Sequence, residues 1–423
     1  MANSGELSRL RSFRTKELFR IPIPHGNLRK KELKIPCQCA KIRTLTGESL
    51  GDSFSNRMEE LSMDKGKLNR ILERMKEQGM PQMIITDPVA IFYLTGKWIF
   101  PGERMLALYI NIDGRSNLFV NKMLPQEKDL GVEISYFDDI DDSVELLSRV
   151  VDKDKPIGID KAWPARFLLR LQELGAGSRF LNGSVIVDKI RQIKDKKEQE
   201  LMIESSRIND QVMAELIPWA GKGLTEKELN EKTREIYRKH GIERVSFDPI
   251  TAYAKGAADP HHVTDDSKGK RGDCVILDIG GFYKDYASDM TRTVFIGEVS
   301  ERQKEIYNIV KEANLRGIAA AKPGAKMKDV DLAARNYIEE KGYGKYFTHR
   351  TGHSIGLEDH EVGDVSSVNE EVIEVGQCFS VEPGIYIAEE GIGVRIEDLV
   401  LITEDGCKVL NEYTKDIIVV PES

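Results

Sequence analysis

VILDIGGFYKDYASDMTRTVFIG, residues 275–297, carries two carboxylates, Asp278 and Asp289, inside otherwise strand-like sequence. Val275, Ile276, Leu277 and Ile279 are aliphatic on one side, and Met290, Thr291, Thr293, Val294 and Phe295 favour a strand on the other. Gly280, Gly281 and Asp285 supply turn residues between them. The pattern predicts a β-hairpin with one acid on each arm. A buried carboxylate is costly unless it is paired or holds a metal. From this stretch alone, a cation site and two ordinary turn acids stand level.

The wider composition narrows the class. The chain has 423 residues, 40% hydrophobic and 31% charged, enough for two domains with cores of their own. No apolar run approaches the roughly 20 residues of a membrane helix. The net charge of -8 disfavours nucleic acid as a partner. Five cysteines, Cys37, Cys39, Cys274, Cys378 and Cys407, are odd in number and scattered. That argues against a disulfide framework and fits a reducing, cytoplasmic setting. Cys37 and Cys39 have no second pair to complete a metal knuckle.

Residues 1–62 differ from the rest. Twelve Lys and Arg face seven Asp and Glu there, with no sustained period and no apolar signal core. This segment is expected to be an unstructured or non-native extension, the folded protein beginning near Met63. An amphipathic helix comes next, with Leu68, Ile71, Leu72 and Met75 on one face. Short strands and helices then alternate through a first α/β domain, 63–187. Its loop Trp98, Phe100, Pro101, Arg104 is read either as a partner or site cover or as simple loop packing. One long charged helix, about Val187–Leu216, is expected as the hinge into a second domain, 188–423. Helices at Thr225–His240, 301–321 and 328–341 and a strand-rich end, Cys378–Val420, complete it.

The acids and histidines of the second domain cluster in short motifs. His261 follows Pro260, and His349, His353 and His360 lie in HRTGHSIGLEDHE. Glu382 lies in FSVEPGIY and Glu397 in GVRIED, on two strands joined by the turn Glu389–Gly393. Two hairpins with an acid on every arm, plus a histidine on a glycine-flanked loop, make a hard-oxygen site with one imidazole. Such a set suits Mn²⁺, Co²⁺, Fe²⁺ or Zn²⁺, and four carboxylates neutralise two divalent ions. The alternative, strand acids in ordinary salt bridges, needs all these residues to coincide in Gly-rich motifs.

ILDIG…YASDMTRT, HRTGHSIGLEDHE, VEPGIY and GVRIED resemble the metal-binding motifs of the pita-bread metallopeptidases (peptidase M24). That group includes methionine aminopeptidase, aminopeptidase P, prolidase and creatinase. The resemblance covers residues 63–423. It implies an α+β protein: a pita-bread (creatinase/aminopeptidase) catalytic domain preceded by a smaller α/β creatinase-like domain. It implies Asp278, Asp289, His353, Glu382 and Glu397 as ligands of two divalent metal ions per subunit, Mn²⁺ or Co²⁺ first, then Zn²⁺ or Fe²⁺. It implies His261, His349, His360 and Glu382 as catalytic groups, and Tyr386 and Arg395 as substrate-binding groups. HEVGD at 360–364 lacks the Pro-Arg that some prolidases carry after HE. Arg395 is then the first candidate to hold a substrate carboxylate, pairing with Asp398 or Glu397 being its alternative. The implied activity is hydrolysis of the bond before proline by a metal-bridging hydroxide, in Xaa-Pro dipeptides or, as aminopeptidase P, in longer peptides. A metal-free creatinase-like hydrolase or a binding module on this fold is the rival of another class. A homodimer is the implied assembly.

Overall fold

The computed structural model describes residues 62–126, 129–260 and 262–423. The expectations for Cys37, Cys39 and His261, and for 1–61, lie outside the described residues. The amino-terminal helix Lys65–Glu77 forms as its periodicity demands, with Asp64 capping it and Ile71 and Met75 buried. It precedes a six-stranded mixed sheet. The strand order is 133–137, 116–121, 107–111, 82–85, 156–159, 179–182. Glu133–Phe137 and Arg179–Asn182 escape sequence reading because they are the sheet's half-exposed edges, without clean alternation.

The hinge is not one helix. Ser184–Gln192 and Lys196–Leu216 are separate, broken at 193–195. Ile193 is extended (φ -94°, ψ 100°) and bridges to Gln377. Asp195 then caps the second helix in a reciprocal capping box with Glu198. The amphipathic stripe continues across the break, which is why period alone hides it.

Two larger sheets and two two-stranded ribbons build the second domain. In one, Cys274–Ile279 pairs antiparallel with Met290–Ile296, Thr291 opposite Asp278. The expected hairpin is therefore real, and its connection carries a small ribbon of its own, Phe282–Tyr283 against Tyr286–Ala287. Ile250–Tyr253 and Val419–Val420 flank the pair. The other sheet runs 361–365, 352–354, 378–381, 398–403, 406–409. Glu301–Ala320 and Met327–Glu340 pack on these sheets through Ile306, Val310, Ala313, Ala334 and Ile338.

The arms around Glu382 and Glu397 form one hairpin interrupted on both sides. Cys378–Val381 pairs with Asp398–Thr403, and Gly384–Ile387 pairs with Ile392–Arg395. Between these ladders lie Glu382-Pro383 and Ile396-Glu397. Pro383 has no N–H to give, so the ladder lapses there. The freed amides bond elsewhere: Glu382 N donates to Thr351 O at 2.7 Å and Glu397 N to Thr291 O at 3.2 Å. The interruption thus ties both acids to the segments that carry His353 and Asp289.

Candidate metal centre and active site

Asp278 lies near the end of one strand of the first hairpin and Asp289 precedes its partner strand. With His353 on the strand Gly352–Ser354 and the two interrupted-hairpin acids, they converge on a cavity of about 410 Å³. Ligand atoms of Asp289, His353 and Glu397 all lie within 4.8 Å of one another. His353 Nε2 stands 3.6 Å from both Asp289 Oδ2 and Glu382 Oε1. Its Nδ1 faces Ser354 O at 3.2 Å, so Nδ1–H donates there and the Nε2 lone pair is left toward the acids.

The acids are incompletely satisfied by protein. Thr291 Oγ1 donates to Glu397 Oε2 at 2.7 Å and Arg395 donates to Asp278 Oδ2 at 2.6 Å. The remaining oxygens, Asp278 Oδ1, Asp289 Oδ1 and Glu397 Oε1, are buried without a hydrogen-bond partner among the described residues. Orphaned buried carboxylate oxygens are a recognised mark of an ion site. Electrostatics agree. Burial, then Glu397, Asp278 and Glu382, push Asp289 well above the usual carboxylate range. Burial with Glu382 and Asp278 does the same to Glu397. Burial brings Glu382 up to about 7. Burial, reinforced by His360, drops His353 to about 3, so it stays neutral and able to ligate. Crowded like charges with free lone pairs and a neutral imidazole fit divalent cations.

The other expected groups gather around this cluster. His349 Nδ1–H donates to Arg350 O (2.7 Å), and Tyr386 O–H donates to His349 Nε2 (2.9 Å). Arg395 NH1 donates to that same tyrosine oxygen at 3.1 Å. The His360 ring lies 3.7 Å from the His353 ring. Arg395 lines the cavity, yet three of its five N–H groups are used, on Asp278, Tyr386 and Thr291. The acid it pairs with is Asp278, far away in sequence, and not the neighbouring Asp398 or Glu397.

Sequence reading passed over Arg350, Asp359, Phe247, Ile250 and Pro260 as cavity residues. Arg350 is the consequential one. Its NH2 donates to His360 Nδ1 at 3.2 Å, and its charge acts on Glu382, opposing the rise that burial imposes there. Its position beside His349 in a histidine-rich loop was the available signal. Phe247 and Ile250 gave none, because only the fold brings them to the cavity. Beneath the site, buried Arg292 donates five bonds: to Thr291 O, Glu397 O, Asp398 Oδ1, Tyr413 O and Thr414 O.

Comparison with known proteins places this geometry. The sequence profile of Metallopeptidase family M24 matches residues 200–404, and that of the Creatinase/Prolidase N-terminal domain matches 67–193. An uncharacterised peptidase of Staphylococcus aureus is 36% identical over 352 residues, covering 82% of this chain and 99% of the relative. The structure of the prolidase from Pyrococcus horikoshii superposes with a TM-score of 0.76 at 32% identity, covering 84% of this chain and all of that one. That of the X-Pro aminopeptidase from Thermotoga maritima gives 0.71 at 31% identity, covering 82% and 100%. A creatinase-type first domain precedes a pita-bread second domain in which acids and histidine converge, and with these matches the chain belongs to metallopeptidase family M24 and is a peptidase.

Proposed function

We propose that the protein hydrolyses the bond before proline in Xaa-Pro dipeptides, using two divalent ions, Mn²⁺ or Co²⁺ first. The observation that carries the metal reading is that three acids with an orphaned buried oxygen, Asp278, Asp289 and Glu397, line one cavity with His353, whose Nε2 lies 3.6 Å from Asp289 Oδ2. Asp278, Asp289, His353, Glu382 and Glu397 would hold the ions. Bound there, the ions would acidify a water and polarise the scissile carbonyl. Among the four expected acid ligands Glu382 is the most exposed, its side chain 17% exposed against 11% for Asp278 and 6% for Asp289. It is the group to take the proton from the attacking water and return it to the proline nitrogen. His360 accepts from Arg350 on Nδ1, so its own proton sits on Nε2, available to the carbonyl oxygen as negative charge builds.

The dipeptide preference rests on Arg350. Arg395 commits three of its N–H groups to the protein and Arg350 one, to His360, so Arg350 has more donors left, and a guanidinium holds a carboxylate with two parallel bonds. Phe247, Ile250 and Pro260 offer an apolar wall for a proline ring. The relatives named prolidase and X-Pro aminopeptidase differ by only 1% in identity to this chain, so specificity is the part to test. An Xaa-Pro dipeptide, its proline amide and an Xaa-Pro-Pro tripeptide are compared with Mn²⁺ supplied. The dipeptide should lead, and Arg350→Met should weaken it by ~1.5–3 kcal/mol relative to the amide. A lead for the tripeptide moves the assignment to aminopeptidase P. The domain limits 63–187 and 188–423, a cytoplasmic homodimer and a role for His261 belong to the same proposal. The profile boundaries near residue 193 support the first of these.

A further inference from the structure

The break in the hinge holds a buried charge cluster outside the metal centre. Arg191 lies at the end of helix Ser184–Gln192, and Lys194 lies in the break itself. Their side chains are 3% and 2% exposed. Cations buried this deeply are tolerable only when paired with good geometry. They share one partner, the Glu361 carboxylate: Arg191 NH2 to Oε1 at 2.7 Å and Lys194 Nζ to Oε2 at 2.9 Å. Arg191 also reaches Glu358 at 2.7 Å. Burial alone would raise Glu361, but Lys194 and Arg191 outweigh it and bring the carboxyl down to about 2. The carboxylate stays charged throughout the neutral range.

The same carboxylate shapes the turn before it. Leu357 N donates to Glu361 Oε1 at 3.0 Å, closing the turn from inside. Gly356 lies so close that a Cβ there would stand 2.7 Å from that oxygen. The turn carries Asp359 and His360 into the cavity wall. It leads into the strand Glu361–Val365, which pairs His353 with Asp364.

We infer that Arg191 and Lys194 are positioning residues for the active site: through Glu361 they hold turn 357–361, and so the His360 ring against His353. The inference rests on the reading of His353 and His360 as site residues. Misplacing a catalytic group by about 1 Å can cost about 100-fold in rate. A clamp acting only on global stability would leave kcat intact well below the melting temperature.

The test uses the full chain with Mn²⁺ and an Xaa-Pro dipeptide, on Arg191→Met, Arg191→Lys and Glu361→Gln. Arg191→Met should lower kcat by about 10- to 100-fold with KM within about threefold, and Arg191→Lys should recover much of it. Amide hydrogen exchange across 355–361 should quicken in Arg191→Met and Glu361→Gln, while strand Cys378–Val381 exchanges as in the parent. Glu361→Gln keeps the shape and the acceptor for Leu357, and carries the test if Arg191→Met does not fold. Unchanged exchange at 355–361, or a kcat loss that only tracks the folded fraction, overturns the inference. If the parent protein cleaves no Xaa-Pro peptide, the site reading fails by itself, and the exchange data alone decide the clamp.

Discussion

Asp289 and Glu382 show how much one side chain decides here. Each brings a carboxylate into a cluster whose oxygens have few protein partners, so an amide in its place removes charge and, on the proposed reading, a ligand atom. Changes to groups that merely support a metal ligand typically cost 10–100-fold. Asp289→Asn and Glu382→Gln should therefore each lower turnover by more than about 100-fold. Bound metal per subunit should fall in Asp289→Asn, with the circular-dichroism spectrum unchanged. Near-parental turnover in metal-saturated Glu382→Gln would remove that glutamate from the mechanism. Arg395 is the contrasting residue. Its bonds to Asp278, Tyr386 and Thr291 make it a brace of the site, so Arg395→Lys should harm dipeptide and proline amide alike. A selective loss on the dipeptide would restore it as the carboxylate receptor.

At the scale of elements, the site depends on strands meeting where their ladders lapse. Arg292 holds three of these segments together from below, bonding the 290–296 strand, the Glu397-Asp398 junction and the 413–414 loop. Removing one partner of a buried pair leaves the other uncompensated, which costs about 3–5 kcal/mol. Lys415 still pairs with Asp398, at 2.7 Å, so Arg292→Met should fall at the lower end, about 3 kcal/mol, by urea unfolding. The turn at 357–361 has an acid-sensitive counterpart. Glu361 titrates at about 2 in the fold against an ordinary value of 4.5. Between those values the unfolded chain binds more protons than the folded one, so stability is full above pH 4.5 and declines as pH falls toward 2. Melting curves from about pH 6 to about pH 3 should show Glu361→Gln with a shallower decline than the parent. Equal slopes would mean that other carboxylates govern acid unfolding.

For the whole molecule, the loop after the first domain's second helix has a definite use. Trp98 stacks on Phe92 and donates to Asp285 at 2.9 Å, while Arg104 makes two bonds to Asp139. Trp98 and Arg104 thus serve contacts within the chain. Phe100 remains 68% exposed. Aromatic residues of this kind are enriched at interfaces. If the proposed homodimer uses this face, light scattering at micromolar concentration should give a dimer mass, and Phe100→Ser should shift it toward monomer. Among the described residues, no helix is long and apolar enough to cross a membrane. A chain shortened to residues 62–423 should unfold cooperatively and keep full activity; a large loss of melting enthalpy would show that the removed residues belong to the fold.

What the amino-acid order determined by itself is the local chemistry. Strand-forming runs around Asp278 and Asp289 dictate a hairpin, because β-branched residues and turn glycines act over a few residues. The pairing of acids with a glycine-flanked histidine points to a cation site, because those side chains have little other reason to share motifs. Tertiary structure decided whatever depends on partners far away in sequence. The hinge breaks at Ile193 because Gln377 takes its backbone and Asp195 caps the second of the two helices. Where Pro383 lets the Glu382 and Glu397 arms part, it is Thr351 and Thr291, distant in sequence, that take up the freed amides. Arg395 is bonded to Asp278, 117 residues away, while Arg350 lines the same cavity with a hydrogen bond to His360. Periodicity and motif report a residue's own neighbours along the chain. Which charge meets which is settled only when burial forces distant segments to satisfy one another.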